Sequence, residues 1–214
     1  MGGVFSDVLY AGRIYRKSPG FAVFTTLLLA LGIAANTIIF SAIDTLLLRP
    51  LPVTHPEEVV RLMRVRSGLT PVSEFWYPFY AVIKDRTDIF SGIFGQVEMN
   101  IAVSEGSITE RIRAHFVTGN FFSVLGVQAL YGRVLTPDDE RSTADTPPIV
   151  LSYPFWKRRF NADPAVVGQP IQLQGHRCLI VGVMPKAFNG ISVETGPDVR
   201  VPFTAVNILS SDFF

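Results

Sequence analysis

An uninterrupted apolar run near the amino terminus constrains this chain more than any other feature of its sequence. No charged residue occurs in Phe21–Ile43, and apolar residues continue beyond it. At about 1.5 Å per residue, a helix over this run exceeds the roughly 30 Å hydrocarbon core of a bilayer. Ser18-Pro19 supplies an N-cap and a first-turn proline, and Pro50 disfavours helical backbone just before it. The sequence therefore predicts a transmembrane helix over residues 19–48.

Basic residues flank this helix unequally. Only Arg49 follows closely behind it, whereas three basic residues precede it: Arg13, Arg16 and Lys17. Because an excess of Lys and Arg marks the cytoplasmic side of a span, residues 1–18 are predicted to be a cytoplasmic juxtamembrane segment. Residues 49–214 are then predicted to form an extracytoplasmic domain, with the chain crossing the cell inner (cytoplasmic) membrane once.

A cleaved secretory signal is the alternative interpretation of the same run. Phe21–Leu31 would serve as its apolar region, and Gly32 and Ala34 as the small residues of a cleavage site. Polar mature sequence normally follows such a signal, whereas a second apolar stretch, Thr37–Leu48, follows here. This difference favours a retained helix in contact with the lipid bilayer.

Small and polar residues recur along one side of the predicted helix, three or four positions apart. They are Thr26, Ala30, Ala34, Thr37, Ser41 and Asp44. In lipid, small residues allow close approach of helices, hydroxyls bond across them, and an acidic group rarely faces hydrocarbon. We expect these residues to form a helix-packing stripe. The alternative is that small and polar residues of this kind are common in any membrane span and that Asp44 lies at the outer interface. No other stretch approaches about 18 apolar residues, so partner helices would lie outside this sequence.

The overall composition excludes several classes of protein. The 214 residues include 19 Lys and Arg against 18 Asp and Glu, a net charge of +1, so no nucleic-acid partner is expected. The chain is 48% hydrophobic and 17% charged, which is too apolar for a disordered protein. One cysteine, Cys178, allows no disulfide within the chain and no thiolate zinc cluster.

Beyond Pro50 the pattern predicts an α+β domain of short strands, hairpins and helices. The predicted strands are Glu58–Val65, Glu98–Val103, Ile108–Val117, Ile149–Leu151, Pro170–Leu173 and Cys178–Val183. The predicted helices are Phe75–Asp85, Phe121–Leu125 and Tyr153–Phe160, and Thr136–Pro148 is predicted to be a surface loop.

Residue types that act in catalysis or metal binding are present, but they lack the spacing that a catalytic or metal-binding site requires. The sequence contains no phosphate-binding loop, dinucleotide fingerprint, zinc-protease motif, nucleophile elbow or calcium loop. His55, His115 and His176 are scattered, and Asp138-Asp139-Glu140 lacks the glycine turn of a cation loop. We expect no catalytic, cofactor-binding or metal-binding residues. Lys157-Arg158-Arg159 is expected to be an exposed helix face anchored by neighbouring aromatic residues, and Cys178 a buried, inert thiol.

Several separated segments resemble one family of membrane proteins. At the amino terminus these are Ser18-Pro19-Gly20-Phe21, Leu29 to Thr37, Phe40-Ser41 and Leu48-Arg49-Pro50-Leu51-Pro52. Farther along they are Gly119 to Val127, Tyr131-Gly132-Arg133, Leu151-Ser152-Tyr153, Asp163-Pro164 and Val181 to Pro185. In this order they resemble MacB-like, FtsX-like ABC transporter permeases of the duplicated orphan group, with their periplasmic core domain.

The resemblance implies a permease half with one helix, a large extracytoplasmic domain and three further helices. It implies assembly with other permease helices, as a homodimer or tandem half, and with a separate cytoplasmic ATPase. The outer domain would couple ATPase-driven motion to export or to a partner protein. Because the sequence shows no later span, it is expected to be a fragment or truncated copy. The alternative is a stand-alone anchored or secreted binding module, and an enzyme is not expected.

Overall fold

The computed structural model divides the chain into two compact units, with the boundary between Pro50 and Leu51. It describes residues 19–43, 53–65, 70, 72, 73, 75, 77–86, 88–105, 108–141, 145–191 and 196–210. The first unit holds one long helix, and the second holds a mixed domain of strands and short helices.

The apolar run forms one continuous helix, α1, over Pro19–Ile43. Its 25 residues span about 38 Å at 1.5 Å per residue. Large apolar side chains are exposed on all its sides, among them Phe24, Leu27 and Leu29. A helix that is apolar all round is suited to hydrocarbon rather than water. Pro19–Ser41 accordingly has the length and composition needed to cross a membrane.

The second unit is an α+β domain, as the sequence predicts. Its strands are β1 Gln96–Glu105, β2 Ile108–Val117, β3 Tyr131–Gly132, β4 Pro148–Leu151, β5 Pro170–Leu173, β6 His176–Val183 and β7 Val199–Pro202. Its α-helices are α2 Tyr77–Ile83, α3 Phe121–Leu125, α4 Pro137–Arg141, α5 Tyr153–Phe160 and α6 Val206–Leu209. Short 3-10 helices cover Pro56–Glu58, Pro164–Val166 and Phe203–Ala205.

The strands form a single sheet that closes on itself. Their order is β3-β6-β4-β7-β2-β1-β5, and β5 pairs with β6 as well as with β1. The β2–β7 and β4–β6 pairs are parallel, while the other pairs are antiparallel. The ring of β6, β4, β7, β2, β1 and β5 therefore encloses an interior, and β3 adds to β6 outside that ring.

Side chains of alternate residues enter two separate apolar cores. On β4, Ile149 and Leu151 belong to the larger core, which also contains Phe116, whereas Val150 between them belongs to the smaller one. Successive side chains on a strand point to opposite faces, so the two cores lie on opposite faces of the sheet. The smaller core contains Phe121 together with other aromatic and aliphatic side chains.

Helix α5 is fixed against the larger core by its caps and its aromatic residues. The Ser152 hydroxyl accepts a hydrogen bond from the Phe155 N–H at 3.3 Å, and Asn161 ends the helix in the left-handed region. Phe155 is fully buried and Trp156 is 4% exposed. The Trp156 indole N–H donates to the Asp163 carbonyl at 2.8 Å. These contacts explain why the short helix forms, since an isolated helix of this length is unstable in water.

Most of the predicted elements are confirmed, and two are wrong. Both hairpins form, and helix Phe121–Leu125 has the predicted bounds. Glu58–Val65 is not a strand, because among the described residues its only ladder contact is an isolated bridge between Arg64 and Val72. Thr136–Pro148 is not simply a loop, because it contains helix α4, whose first-turn proline and acidic residues favour a helix start.

Candidate functional site

The predicted packing stripe lies along α1. Thr26, Ala30, Ala34, Thr37 and Ser41 fall within an arc of about 80° at 3.6 residues per turn. Each of these five is exposed. Asp44, the sixth member of the stripe, lies outside the described residues.

One hydroxyl of the stripe already has an acceptor within the helix. The Thr37 hydroxyl donates to the Ile33 carbonyl at 2.8 Å, as the Thr25 hydroxyl does to the Phe21 carbonyl. Such bonds satisfy a threonine in lipid without a neighbouring helix. The Thr37 oxygen retains lone pairs, so a neighbouring helix could still donate to it.

In the acidic segment at 138–140, Asp139 and Glu140 form contacts within the domain, whereas Asp138 stays exposed to solvent. Both terminal nitrogens of Arg133 donate to the Asp139 carboxylate, at 2.6 and 2.8 Å. Burial alone would raise the pKa of Asp139, but the hydrogen bonds from Arg133 and Thr136 outweigh it and lower the pKa. Asp138 pairs with Arg141 on the exposed surface. The Asp139 carboxylate is therefore committed to a structural contact.

Glu140 connects α4 to two other parts of the domain. Its Oε2 accepts the Gly119 N–H at 2.6 Å, and its Oε1 accepts the Tyr77 hydroxyl at 3.1 Å. The Tyr77 ring stacks on Phe203 with centroids 4.7 Å apart. Burial, followed by the charge of Glu140, raises the pKa of Tyr77 to about 12. Helix α2 is thus held on the domain by a neutral tyrosine that donates to a carboxylate.

Of the basic triplet on α5, Lys157 and Arg158 are exposed as predicted, whereas the Arg159 side chain is only 12% exposed, and two of the three form an ion-pair network. Arg158 reaches Glu110 at 3.4 Å and Asp198 at 3.1 Å, and Arg159 reaches Glu110 at 3.3 Å. Lys157 is exposed. The network ties α5 to β2 and to the segment before β7, which is a structural role.

The remaining candidates do not converge on one place. His55 and His176 are exposed, and His115 is buried. His55 lies beside Glu57 and Glu58, which are also exposed, and such groups are common without an ion. Cys178 is fully buried, and burial raises the pKa of its thiol to about 12, so it is poorly nucleophilic near neutral pH.

The sequence contains no indication of one buried charge in the domain, that of Arg200. Arg200 on β7 is fully buried, and among the described residues its Nε, Nη1 and Nη2 have no hydrogen-bond partner. Its guanidinium carbon lies 4.8 Å from the centroid of the Phe188 ring and 6.0 Å from that of Phe121. Burial lowers the pKa of Arg200 to about 10, so it remains a cation at neutral pH.

Arg200 belongs to a polar row across three neighbouring strands. It pairs in register with His115 on β2, which pairs in register with Glu98 on β1. The His115 Nε2 lies 3.3 Å from the Glu98 carboxylate, and its Nδ1 has no hydrogen-bond partner in the part of the chain that the structure describes. The alternation Val199-Arg200-Val201 resembles that of a strand with one solvated face, so the sequence carries no signal for this burial.

Comparison with known proteins identifies the family of this chain. The family model of the MacB-like periplasmic core domain matches residues 22–213. The chain belongs to the MacB-like periplasmic core domain family. A search of curated proteins gives no match.

Two solved structures similar to this MacB-like chain are an extracellular domain and a periplasmic region. The extracellular domain of the noncanonic ABC-type transporter YknZ from Gram-positive bacteria is 15% identical, with a TM-score of 0.43, over 54% of this chain and 56% of its own. The periplasmic region of MacB from Actinobacillus actinomycetemcomitans is 17% identical, with a TM-score of 0.44, over 59% of this chain and 56% of its own. The chain therefore spans about half the length of these structures.

The family and the apolar helix together define the class of protein. The family model begins at residue 22, within α1, and extends through the mixed domain. This MacB-like chain combines a candidate transmembrane helix with a periplasmic core domain. These two features indicate a membrane-anchored chain with an extracytoplasmic domain.

Proposed function

We propose that this chain is a non-catalytic permease component whose outer domain couples the motion of a separate cytoplasmic ATPase to export or to a partner protein. The observation that carries the proposal is the single family match from residue 22 to residue 213, which joins α1 and the mixed domain in one module. A module that combines a membrane helix with an outer domain is suited to transmit motion across the bilayer.

The proposed orientation places the amino terminus in the cytoplasm and the mixed domain outside the cell inner membrane. It rests on Arg13, Arg16 and Lys17 before α1. A reporter fused after Phe214 tests it: alkaline phosphatase should be active and β-galactosidase inactive in intact cells. The opposite pattern would contradict the proposed orientation.

Coupling to an ATPase can be tested through the distance between two outer domains. Lys157→Cys places a spin label on the exposed side of α5, while the native Cys178 is buried and its thiol has a pKa of about 12. In membranes that contain the chain and its companion ATPase, trapping with ATP and vanadate should change the distance between labels on two copies. An identical distance distribution with and without nucleotide would contradict coupling.

The proposed role of the stripe is to pack α1 against other permease helices, in a second copy or a tandem half. Ala34→Leu widens the stripe, so it should reduce association of two differently tagged copies by about threefold, corresponding to ~0.6 kcal/mol. Ala35→Leu makes the same change roughly 100° away, outside the stripe, and should leave association unchanged. Equal recovery of both variants in co-purification would count against the stripe and would favour a stand-alone binding module.

A further inference from the structure

The second unit begins with a segment that is fastened to the end of helix α3. Val53 and Thr54 are the first described residues of this unit. The Thr54 N–H donates to the Leu125 carbonyl at 3.2 Å, and the Thr54 hydroxyl donates to the Gly126 carbonyl at 3.2 Å. Val53 packs against the smaller core. We call the contact of Val53 and Thr54 with the carboxyl end of α3 the Thr54 anchor.

The Thr54 anchor requires glycine at position 126. Gly126 ends α3 with φ +66°, the left-handed conformation that favours glycine. Its N–H and that of Val127 close the helix by donating to carbonyls of the last turn. A Cβ at position 126 would overlap the Thr54 Oγ1 and lie 2.8 Å from the Thr54 Cβ. A side chain at this position would therefore displace Thr54 from the helix end.

Helix α3 is packed into the interior of the domain. Phe121 and Phe122 are fully buried, and Leu125 is 2% exposed. The edges and faces of the Phe121 and Phe94 rings meet with centroids 5.1 Å apart, and Phe188 lies 6.5 Å from Phe121. Phe94 lies two residues before β1. Because a close-packed interior transmits strain, a displacement of α3 would be passed to the start of β1 and to Phe188.

The chain that follows the Thr54 anchor can lengthen. The next described residue that packs against the smaller core is Val59, and the 3-10 helix Pro56–Glu58 lies before it. Straightening the three residues of this helix from about 2.0 to about 3.3 Å per residue would absorb about 4 Å of displacement. Without the anchor, a small pull on the incoming chain would extend this turn before it moved Val59.

We propose that the Thr54 anchor is the point at which movement of α1 enters the outer domain, and that α3 carries the movement into the smaller core. The inference rests on the proposed function, since it names where the coupling motion enters. Residues 44–52 connect α1 to Val53 along the chain, and they include Pro50 and Pro52. Proline fixes φ, so this connection has fewer soft torsions in which to absorb movement.

Two glycine insertions test where the movement enters. The full chain carries the Lys157→Cys spin label and is trapped with ATP and vanadate in membranes that contain its companion ATPase. Three glycines inserted between His55 and Pro56 add about 10 Å of extensible chain after the anchor, and the nucleotide-dependent change in distance should persist. The same insertion between Pro52 and Val53 adds this length before the anchor, and the change should be lost.

Matched substitutions test the anchor itself. Gly126→Ala displaces Thr54, so most of the change in distance should be lost. Gly175→Ala introduces an alanine at φ +78° with nothing within 4 Å of its Cβ, and the change should persist. Thr54→Val removes the hydroxyl donor and should reduce the change, whereas Thr54→Ser keeps the donor and should behave as the wild type does.

Folding of each variant is checked by the buried thiol of Cys178, which should stay unreactive before urea is added. If Gly126→Ala exposes this thiol, the insertion pair decides the question.

The results distinguish this inference from the proposed function. If the insertion after His55 abolishes the change, movement enters farther along the chain and the inference is wrong. An undiminished change in the insertion before Val53, or in folded Gly126→Ala, would also overturn it. Each of these results leaves the proposed function intact. The absence of any change in the wild-type chain would contradict the proposed function and, with it, the inference.

Discussion

His115 lies in the middle of a polar row on the sheet, where its protonation should weaken the fold. Burial, followed by the positive charge of Arg200, lowers its pKa, and Arg113 acts in the same direction. The hydrogen bond and charge of Glu98 oppose this shift without cancelling it. A second cation beside Arg200 would be poorly tolerated in the interior. The neutral ring is therefore the form that the folded chain stabilises.

The lowered pKa of His115 predicts that acid destabilises the fold. Above the unfolded-state pKa, near 6.5, both states bind no proton and stability is independent of this group. As the pH falls below that value, the unfolded chain takes up the proton first, and the free energy of unfolding falls by at most about 1.4 kcal/mol per pH unit. Urea unfolding at pH 7.5, 6.5 and 5.5 measures this loss.

The control for this prediction compares two histidine variants. His115→Gln removes the titrating group and should flatten the pH dependence between 6.5 and 5.5, whereas His176→Gln, at an exposed position, should retain it. A pH dependence that is identical in the wild type and in His115→Gln would contradict the assignment to His115.

Single residues differ in how far their environment can be predicted from sequence. Cys178 lies in an apolar strand pattern, and its predicted burial is confirmed. Arg200 alternates with two valines, a pattern that predicts a solvated charge, yet it is fully buried. The difference arises because β7 is central in the sheet and aromatic side chains cover its second face. Residues distant in sequence provide that cover, so local pattern cannot reveal it.

At the scale of elements, α4 shows how short helices are held in this domain. It has five residues, too few to be stable alone. Glu140 links it to the Gly119 N–H and to the Tyr77 hydroxyl. A Cβ on Gly119 would lie 2.6 Å from the Pro137 Cα, so the two segments touch closely. The contacts that stabilise α4 therefore come from other elements.

Glu140→Ala should destabilise the domain by about 1.5–3 kcal/mol, because it removes hydrogen bonds to a charged acceptor and leaves a part-buried N–H without a partner. Asp138→Ala, on the same helix but in an exposed pair with Arg141, should cost no more than about 0.5 kcal/mol. Urea denaturation followed by circular dichroism measures both. Similar losses in the two variants would show that Glu140 is not a specific link.

Secondary-structure elements with a clear local sequence pattern were predictable, whereas elements that depend on contacts with distant residues were not. Alternating apolar residues around two turns predict both hairpins, which form in the structure. The strand predicted at Glu58–Val65 has the right composition, but it finds no ladder among the described residues beyond the Arg64–Val72 bridge. Helix α4 was missed because Asp and Pro are common to loops and to helix starts alike.

At the scale of the whole molecule, sequence predicts the class of each unit but not the closure of the sheet. Closure depends on β5, which pairs with β6 through Ile171 and Cys178 and with β1 through Leu173 and Val103. The β5–β6 pair follows from a short hairpin, whereas the β1–β5 pair joins strands far apart in sequence. Only packing in three dimensions selects the β1–β5 pair, so the sequence pattern alone does not predict that the sheet closes.

The division of the chain at Pro50 predicts that membrane retention and domain folding can be changed independently. Leu29→Lys with Ile33→Lys places two charges near the centre of α1, each costing about 2.5–3.5 kcal/mol in the bilayer. The double variant should move to the supernatant on carbonate extraction. Val60→Lys with Val65→Lys adds the same charges at exposed positions of the second unit and should stay in the membrane pellet.

The thiol of Cys178 reports the folding of the second unit in the same experiment. Because it is buried and its pKa is about 12, it should resist a thiol reagent at pH 8 in both double variants and react only after urea is added. If the α1 double variant stays in the pellet, α1 is not the membrane anchor. If it is released with a reactive thiol, the domain needs the intact helix to fold, and the two units are not independent.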